Sequence, residues 1–272
     1  MARIVLGLGA PHSPNLPSVV ANNPGFVEAG LYAELKNALE AARADALVIF
    51  SNDHFNTFFL NNFPMFAIGA APATAGPNDG TPMPRYEIPV AEELASHIYS
   101  TGVSSGFDLA LCQEFDVDHA FAVPVHFLCA HGKLPILPVF VNCFASPLPL
   151  ASRAHALGRA IGSAIRAHEP DLRVAVMASG SFSLEIGGPA IPPGERSGVP
   201  DRAWVARVVE LMRARRVDDL VTEATPSQMA RAGNAGGELL NWIAMLGAIG
   251  DRAPAMLAAR PHGHAFGVWR WE

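Results

Sequence analysis

The sequence contains few cysteines, few charged residues and no excess of positive charge. Three of its 272 residues are cysteine, and they are unevenly spaced in apolar surroundings at Cys112, Cys129 and Cys143. This excludes a disulfide framework and a cysteine-rich zinc site, and predicts buried free thiols in a reducing cytoplasm. The formal net charge is −6, and charged residues make up 16% of the chain. Since nucleic-acid-binding proteins usually carry a basic surface, we expect no nucleic-acid partner.

Long hydrophobic segments are also missing. Hydrophobic residues make up 50% of the sequence, but no uncharged apolar stretch is long enough to predict a membrane span. A strand-like run starts almost at once, at residues 3–6, so we expect no signal peptide, no membrane partner and a cytoplasmic location. No like-charge run or Ser/Gly linker divides the chain. We therefore expect residues 1–272 to form a single catalytic domain.

What the chain does contain is a series of short apolar runs that alternate with helical patterns. The runs predict buried strands that begin at Ile4 and cover residues 46–50, 134–141 and 173–178. Prolines in the third of these indicate a sheet edge or a bulge. Helices are predicted near residues 26–44, 90–101, 151–168 and 237–247, with irregular loops and short strands over 61–89 and mostly helix after Asp201. This alternation predicts an α/β fold with a mostly parallel central sheet flanked by helices.

The first two strands are each followed by a histidine. The run from Ile4 ends at Pro11-His12, and the run over residues 46–50 ends at Asn52-Asp53-His54. Open α/β sheets bind ligands in the crevice beyond the carboxyl ends of their strands. Two imidazoles placed there, with one carboxylate, would form a three-ligand metal site that keeps open positions. We therefore expect a metal site at this edge of the sheet.

Two further residues are candidates for this site. Glu238 follows two glycines and begins an apolar helix, so its carboxylate could bind the metal, or it could simply complement the helix dipole. His119 lies in a polar Asp-x-Asp-His segment with apolar flanks. It could be a general acid or base, or a core histidine paired with Asp116 or Asp118. The residues alone leave both alternatives open.

Six segments spread over nearly the whole chain carry a family resemblance. They are residues 11–14 (PHSP), 52–56 (NDHFN), 116–121 (DVDHAF), 135–142 (PILPVFVN), 201–204 (DRAW) and 238–242 (ELLNW). By these segments the chain resembles the class III extradiol ring-cleavage dioxygenases, and is similar to the catalytic β subunits of protocatechuate 4,5-dioxygenases. The resemblance implies an oxidoreductase of aromatic compound degradation that opens a catecholic ring and incorporates both atoms of O₂.

The resemblance also implies roles for the candidate residues. His12, His54 and Glu238 would hold Fe(II), and His119 would be the catalytic acid or base. Substrate-binding positions are expected at Asn52, Ser183, Leu184 and Glu185. The implied partners are a small aromatic diol and O₂, together with either a second copy of the chain in a homodimer or a small α subunit.

One position departs from the family pattern. The family usually has a second active-site histidine, in a Gly-x-Ser-His context after the fourth strand, and Leu184 takes its place in the segment 179–185 (SGSFSLE). Because leucine cannot accept a proton, Glu185 or His119 would have to act as the base, or the substrate would have to be acidic enough to need none. The alternatives are a diverged zinc or iron hydrolase or lyase, since two histidines and a glutamate also suit catalytic zinc, or impaired activity.

Overall fold

The computed structural model describes residues 1–129, 134–189, 191 and 194–271. Its strands are β1 (Arg3–Ala10), β2 (Ala46–Ser51), β3 (Phe66–Gly69), β4 (Ala73–Gly76), β5 (Tyr86–Pro89), β6 (Ala110–Cys112), β7 (Ile136–Val141), β8 (Arg173–Ser179), β9 (Glu185–Ile186), β10 (Ser197–Gly198), β11 (Met256–Ala259) and β12 (Ala265–Arg270). Its helices are α1 (Leu16–Asn22), α2 (Val27–Ala42), α3 (Glu92–Ser104), α4 (His119–Cys129), α5 (Ala151–Ala167), α6 (Arg202–Arg213), α7 (Val217–Glu223), α8 (Pro226–Arg231) and α9 (Leu239–Ile249), with a 3₁₀ turn over Gly236–Glu238 before α9.

The central sheet confirms the predicted fold class. Within the described residues, eight strands form this sheet in the order β11-β12-β1-β8-β2-β7-β3-β6. The four middle strands β1, β8, β2 and β7 are parallel, while β12 pairs antiparallel with β1 and β3 pairs antiparallel with β7. The carboxyl ends of the four parallel strands therefore lie at one edge, where loops can meet.

Helices cover both faces of the sheet because the strands are apolar on both sides. In β2, Val48 and Phe50 enter one core, while Leu47 and Ile49 enter the other. The first core also contains residues of α3, α5, α6 and α9, and the second contains residues of α2 and α4. Strands buried on both faces read as continuous hydrophobic runs, which is why β2, β7 and β8 were predictable from the sequence.

The strand order was not predicted from the sequence, and two other features of the sheet differ from the predictions. β8 lies between β1 and β2, so the first two strands are not neighbours. β7 lies inside the sheet in spite of Pro138, which is opposite Ile49 in the ladder. This is tolerated because proline removes only one hydrogen bond to one neighbouring strand. The chain after Asp201 is not mostly helical to its end, since β11 and β12 form an antiparallel hairpin.

No helix in the described part of the chain combines the length and the hydropathy that crossing a membrane requires.

Candidate metal centre

Three histidine rings meet beyond the carboxyl edge of the parallel strands. The ring centroids of His12 and His54 are 5.3 Å apart, and those of His54 and His119 are 4.2 Å apart with nearly parallel planes. One ring nitrogen from each of the three lies within 4.8 Å of the others, close enough to share an ion. β8 separates β1 from β2, but the loops after the two strands fold over its end and bring the rings together.

His12 is buried, and the protein fixes which of its nitrogens carries hydrogen. Its Nδ1 lies 2.9 Å from Ser179 Oγ, and that hydroxyl donates its own hydrogen to the carbonyl of Ala120 at 2.9 Å. Ser179 Oγ therefore accepts from His12 Nδ1–H. The lone pair of His12 is left on Nε2, which faces Glu238 Oε1 at 3.1 Å.

His54 is oriented by a buried carboxylate. Asp118 Oδ2 accepts from the His54 backbone N–H at 2.7 Å and from its ring Nδ1–H at 2.9 Å. Nε2 thus carries the lone pair, with the amide of Asn52 3.3 Å away. A metal-binding histidine commonly donates its other ring hydrogen to a carboxylate in this way, which fixes the ring and makes it a stronger ligand.

His119 begins α4, and it is not paired with either neighbouring aspartate. Its ring Nδ1–H and its backbone N–H both donate to Asp79 Oδ2. The alternative partners considered from the sequence bind elsewhere: Asp118 binds His54, and Asp116 forms an ion pair with Arg85. Because Asp79 holds the Nδ1 hydrogen of His119, Nε2 is the ring atom that can accept or return a proton.

Glu238 ends the 3₁₀ turn that leads into α9, and its carboxylate is buried against His12. Among the described residues, the three histidines form a group whose ligand atoms all lie within 4.8 Å of one another, and Glu238 is not part of that group. Oε2 accepts a 2.7 Å hydrogen bond from the backbone N–H of Ser181, while Oε1 faces His12. Gly180 makes this approach possible: it has φ +140°, and a Cβ there would lie 2.7 Å from the Glu238 Cβ. The loop after β8 therefore packs closely around the Glu238 carboxylate and donates a hydrogen bond to it.

Burial and pairing shift the pKa values of these groups. Burial dominates at His12 and lowers its pKa, although Glu238 opposes the effect. Burial also disfavours charge on His54, but the hydrogen bond and charge of Asp118 outweigh it and raise the pKa of His54. The carboxyls of Asp118 and Glu238 are buried too, yet their histidine partners hold both pKa values below the usual range. Both carboxylates are consequently ionised at neutral pH.

The donor set fits a metal cation. Ser179 holds the Nδ1 hydrogen of His12, so the lone pair on Nε2 and the carboxylate of Glu238 face each other at 3.1 Å. Two acceptors in that position repel unless a proton or a cation lies between them. Two imidazoles and one carboxylate with open positions are the ligands that non-haem Fe(II) takes, and catalytic zinc takes them as well.

The expected substrate-binding residues differ in their surroundings. Asn52 lies in the centre: it is fully buried and next to His54 Nε2. Its side-chain carbonyl accepts a hydrogen bond from the side-chain amide of Asn241. Ser183 and Glu185 instead bind the backbone of the turn before Glu238, at Ala232 O and Asn234 N. Leu184 is buried, and its backbone pairs with the same turn. The substrate-binding role of these four residues stays a prediction.

Two residues that support the centre were not identified from the sequence. Asp79 lies in the loop-rich region between β4 and β5 and reaches His119 only through the tertiary fold. Asn241 lies on α9 and donates to Asn52 Oδ1 and to the carbonyl of Ser179. The sequence did contain a signal for Asn241: it is a polar residue in an otherwise apolar helix, three positions after Glu238. A polar residue on a buried helix needs a hydrogen-bond partner.

The chain is similar to known proteins along most of its length. The family model for the catalytic LigB subunit of aromatic ring-opening dioxygenase matches residues 7–266. A 2,3-dihydroxyphenylpropionate/2,3-dihydroxicinnamic acid 1,2-dioxygenase of Klebsiella pneumoniae (strain 342) is 27% identical over 89% of this chain and 84% of its own length. The enzyme of the same name from Escherichia coli (strain K12) is 29% identical over the same shares.

A solved structure shows the same fold. An uncharacterized protein of Escherichia coli K12 matches with a TM-score of 0.57 at 12% identity, covering 98% of this chain and 100% of its own.

The family match runs from within β1 to within β12, and its range contains the three histidines and Glu238. The chain therefore belongs to the family of catalytic LigB subunits of aromatic ring-opening dioxygenases.

Proposed function

We propose that residues 1–272 act as one Fe(II)-dependent extradiol dioxygenase domain that opens a catecholic ring with O₂. The observation that carries this proposal is the convergence of three histidine rings, with Glu238 Oε1 facing His12 Nε2 and with each histidine Nδ1 already hydrogen-bonded to the protein. Family membership and the names of the relatives support a ring-opening dioxygenase. The chemistry of the donor set supports iron.

His12, His54 and Glu238 would hold the ion. When bound, ferrous iron acidifies a chelated diol and supplies electrons to O₂. Glu238 contributes one negative charge and the histidines contribute none, so the ligand set leaves an iron(II) centre with one net positive charge that attracts a diolate. Glu238 Oε2 accepts a hydrogen bond from Ser181 N–H, which fixes the orientation of the carboxylate.

His119 would transfer the proton that the missing second histidine transfers in relatives. Asp79 accepts its Nδ1–H, so Nε2 can take a proton from the diol and return it later to the product. The resulting imidazolium would be stabilised by the carboxylates of Asp79 and Asp118, both of which lie within 4.8 Å of His119 as a cluster. This arrangement favours His119 over Glu185 as the base, because Glu185 Oε2 is bound to Asn234 N.

The aromatic ring would bind beside Phe144. This side chain lies 4.9 Å from the His54 ring and 6.5 Å from Phe55, measured between centroids. A cavity of about 630 Å³ starts at Phe144 and extends past Gly237 to Glu185, within the usual range for small-molecule sites. We assign it to the ring substituent, with the diol directed toward the histidines.

The test combines metal analysis with oxygen uptake on substituted catechols, using anaerobically purified protein. Wild-type protein is expected to bind iron and to consume O₂ with ring opening. His54→Ala should lose the iron, whereas His119→Gln should keep it and lose about 10²–10⁴-fold in turnover. His97→Gln is the matched control, since His97 contacts only the Ala164 carbonyl and the ring of His168, away from the centre.

The opposite pattern would contradict the assignment of roles. If His119→Gln loses the metal while Glu238→Gln retains it, the ion is held by the three histidines, whose ring nitrogens lie within 4.8 Å of one another. Zinc in place of iron, with no O₂ uptake on any diol, would contradict the dioxygenase proposal and favour a diverged hydrolase or lyase.

A further inference from the structure

A second cluster of metal-binding side chains lies outside this centre. Glu28 is in the first turn of α2, and His262 and His264 are on the turn that joins β11 to β12. We call these three residues the Glu28 cluster. The Glu28 side chain is 1% exposed, His264 is 11% exposed and His262 is 46% exposed. Nothing in the proposed dioxygenase chemistry uses them.

The spacing of the three ligand atoms is that of a coordination site. His262 Nε2 and His264 Nδ1 are 3.0 Å apart, and they lie 2.6 Å and 3.6 Å from Glu28 Oε1. Atoms bonded at about 2.0–2.2 Å to one tetrahedral Zn²⁺ lie about 3.4 Å from one another. The observed separations of 2.6, 3.0 and 3.6 Å differ from this value by about 0.2–0.8 Å, so all three atoms can bind one ion after shifts of less than an ångström.

The buried carboxylate lacks a satisfactory protein partner. Glu28 Oε1 receives no hydrogen bond, although His262 Nε2 is close, because a hydrogen on that ring nitrogen would not point at the oxygen. Arg260 Nε is 3.9 Å away, too far for a hydrogen bond, and is itself without one. A buried carboxylate oxygen that accepts no hydrogen bond is costly even with the Arg260 guanidinium at ion-pair distance. A divalent cation at the centre of the cluster would remove this cost.

The surroundings of the cluster support the same conclusion. The second ring nitrogen of His264 lies 2.7 Å from Ser13 Oγ, so the hydroxyl can accept the Nε2 hydrogen. The lone pair of His264 then lies on Nδ1, which is hydrogen-bonded to His262 Nε2 and can bind a cation in its place. The half-exposed ring of His262 places the fourth coordination position toward solvent. Such a site holds its ion through three protein atoms and keeps one water.

We propose that the Glu28 cluster is a second divalent-cation site, and that its donors select Zn²⁺. Two imidazoles and one carboxylate suit zinc, whereas Mg²⁺ and Ca²⁺ prefer oxygen ligands throughout. The bound ion ties the β11–β12 turn to α2. Through Ser13 it also steadies the loop that carries His12. The site is independent of the iron proposal, because it shares no ligand with the first centre.

Cobalt(II) titrated into the full-length chain under anaerobic conditions tests this proposal. His54→Ala serves as the background, since it removes a ligand of the first centre and leaves the Glu28 cluster intact. Tetrahedral Co²⁺ gives strong visible absorption, which we expect in the His54→Ala chain and which Zn²⁺ should displace. Adding His262→Gln should abolish the absorption or weaken Co²⁺ binding at least about tenfold, while adding His97→Gln should leave it unchanged.

His262→Gln is the decisive variant because its side chain is half exposed and its loss leaves the core intact. The unfolding temperature gives a second readout: saturating Zn²⁺ should raise it in His54→Ala and should not raise it in His54→Ala/His262→Gln. The proposal is overturned if the His54→Ala chain shows no tetrahedral Co²⁺ signal. It is equally overturned if that signal survives His262→Gln.

Discussion

Asp118 fixes the orientation of His54 through two hydrogen bonds to one carboxylate oxygen. Ser179 does the same for His12 and Asp79 for His119. Residues that bind the far side of a ligand histidine thus determine which nitrogen faces the shared centre. The sequence shows the histidines, but it does not show these partners, because each partner is between 40 and 167 positions away in the chain.

Asp118→Asn tests this orientation directly. The substitution removes the negative charge of Asp118 and replaces a group that only accepts hydrogen bonds from His54 Nδ1–H. Metal affinity should therefore fall about 10–100-fold. Asp116→Asn is the matched control, because Asp116 lies two positions away and pairs with the half-exposed Arg85. Metal titration under anaerobic conditions measures both affinities. Equal affinities in the two variants would show that Asp118 does not orient a ligand.

Leu184 is the position at which the chain departs from its family pattern. If a base is missing there, Leu184→His should raise the turnover of simple catechols by at least about tenfold, given that a general base contributes about 10²–10⁴-fold. Leu184→Gln controls for polarity without a proton acceptor in the neutral range. Oxygen uptake on unsubstituted catechol is the measurement. Unchanged turnover in Leu184→His would mean that His119 needs no second base.

At the scale of elements, helix α5 packs on α9 more closely than ordinary side chains allow. Gly158 and Gly162 of α5 face the backbone of α9, where added Cβ atoms would lie 1.8 Å from Ala244 O and 2.4 Å from Ala248 O. The 3₁₀ turn that carries Glu238 leads directly into α9. The α5–α9 contact therefore holds the segment of the proposed ligand Glu238 against the loop after β8.

Two glycine substitutions separate packing from helix propensity. Gly158→Ala should destabilise the protein by about 1–3 kcal/mol, because the added methyl group forces α5 and α9 apart. Gly30→Ala in α2 meets no atom within 4 Å and should stabilise the protein by about 0.5–1 kcal/mol. Urea unfolding compares the two variants with the wild type. Changes of the same sign in both would refute the close-packing explanation.

At the scale of the whole molecule, the loop after His54 exposes apolar side chains next to the centre. Phe59 is 58% exposed and Leu60 is 79% exposed. A second copy of the chain or a small partner subunit that covered this loop would bury them and exclude water from the site.

We expect the protein to sediment as a homodimer, or to co-purify with a small subunit from its native host. Leu60→Glu should weaken the assembly, since it places a charge in the covered surface. Sedimentation velocity at several concentrations measures the effect, and Leu150→Glu, at another exposed apolar position, controls for the added charge. A wild-type chain that is monomeric and fully active would contradict both forms of assembly.

The α/β fold, the buried strands and the four candidate residues of the centre were all predictable from the amino-acid order. Periodicity and short apolar runs are local, and histidines after strands have a fixed place in a parallel sheet. Three features were not predictable: β8 separates β1 from β2, β7 lies inside the sheet, and Asp79 rather than Asp116 or Asp118 holds His119. These outcomes depend on contacts between distant segments, which no local pattern encodes. The Glu28 cluster is of the same kind, since a helix at one end of the chain meets a turn at the other.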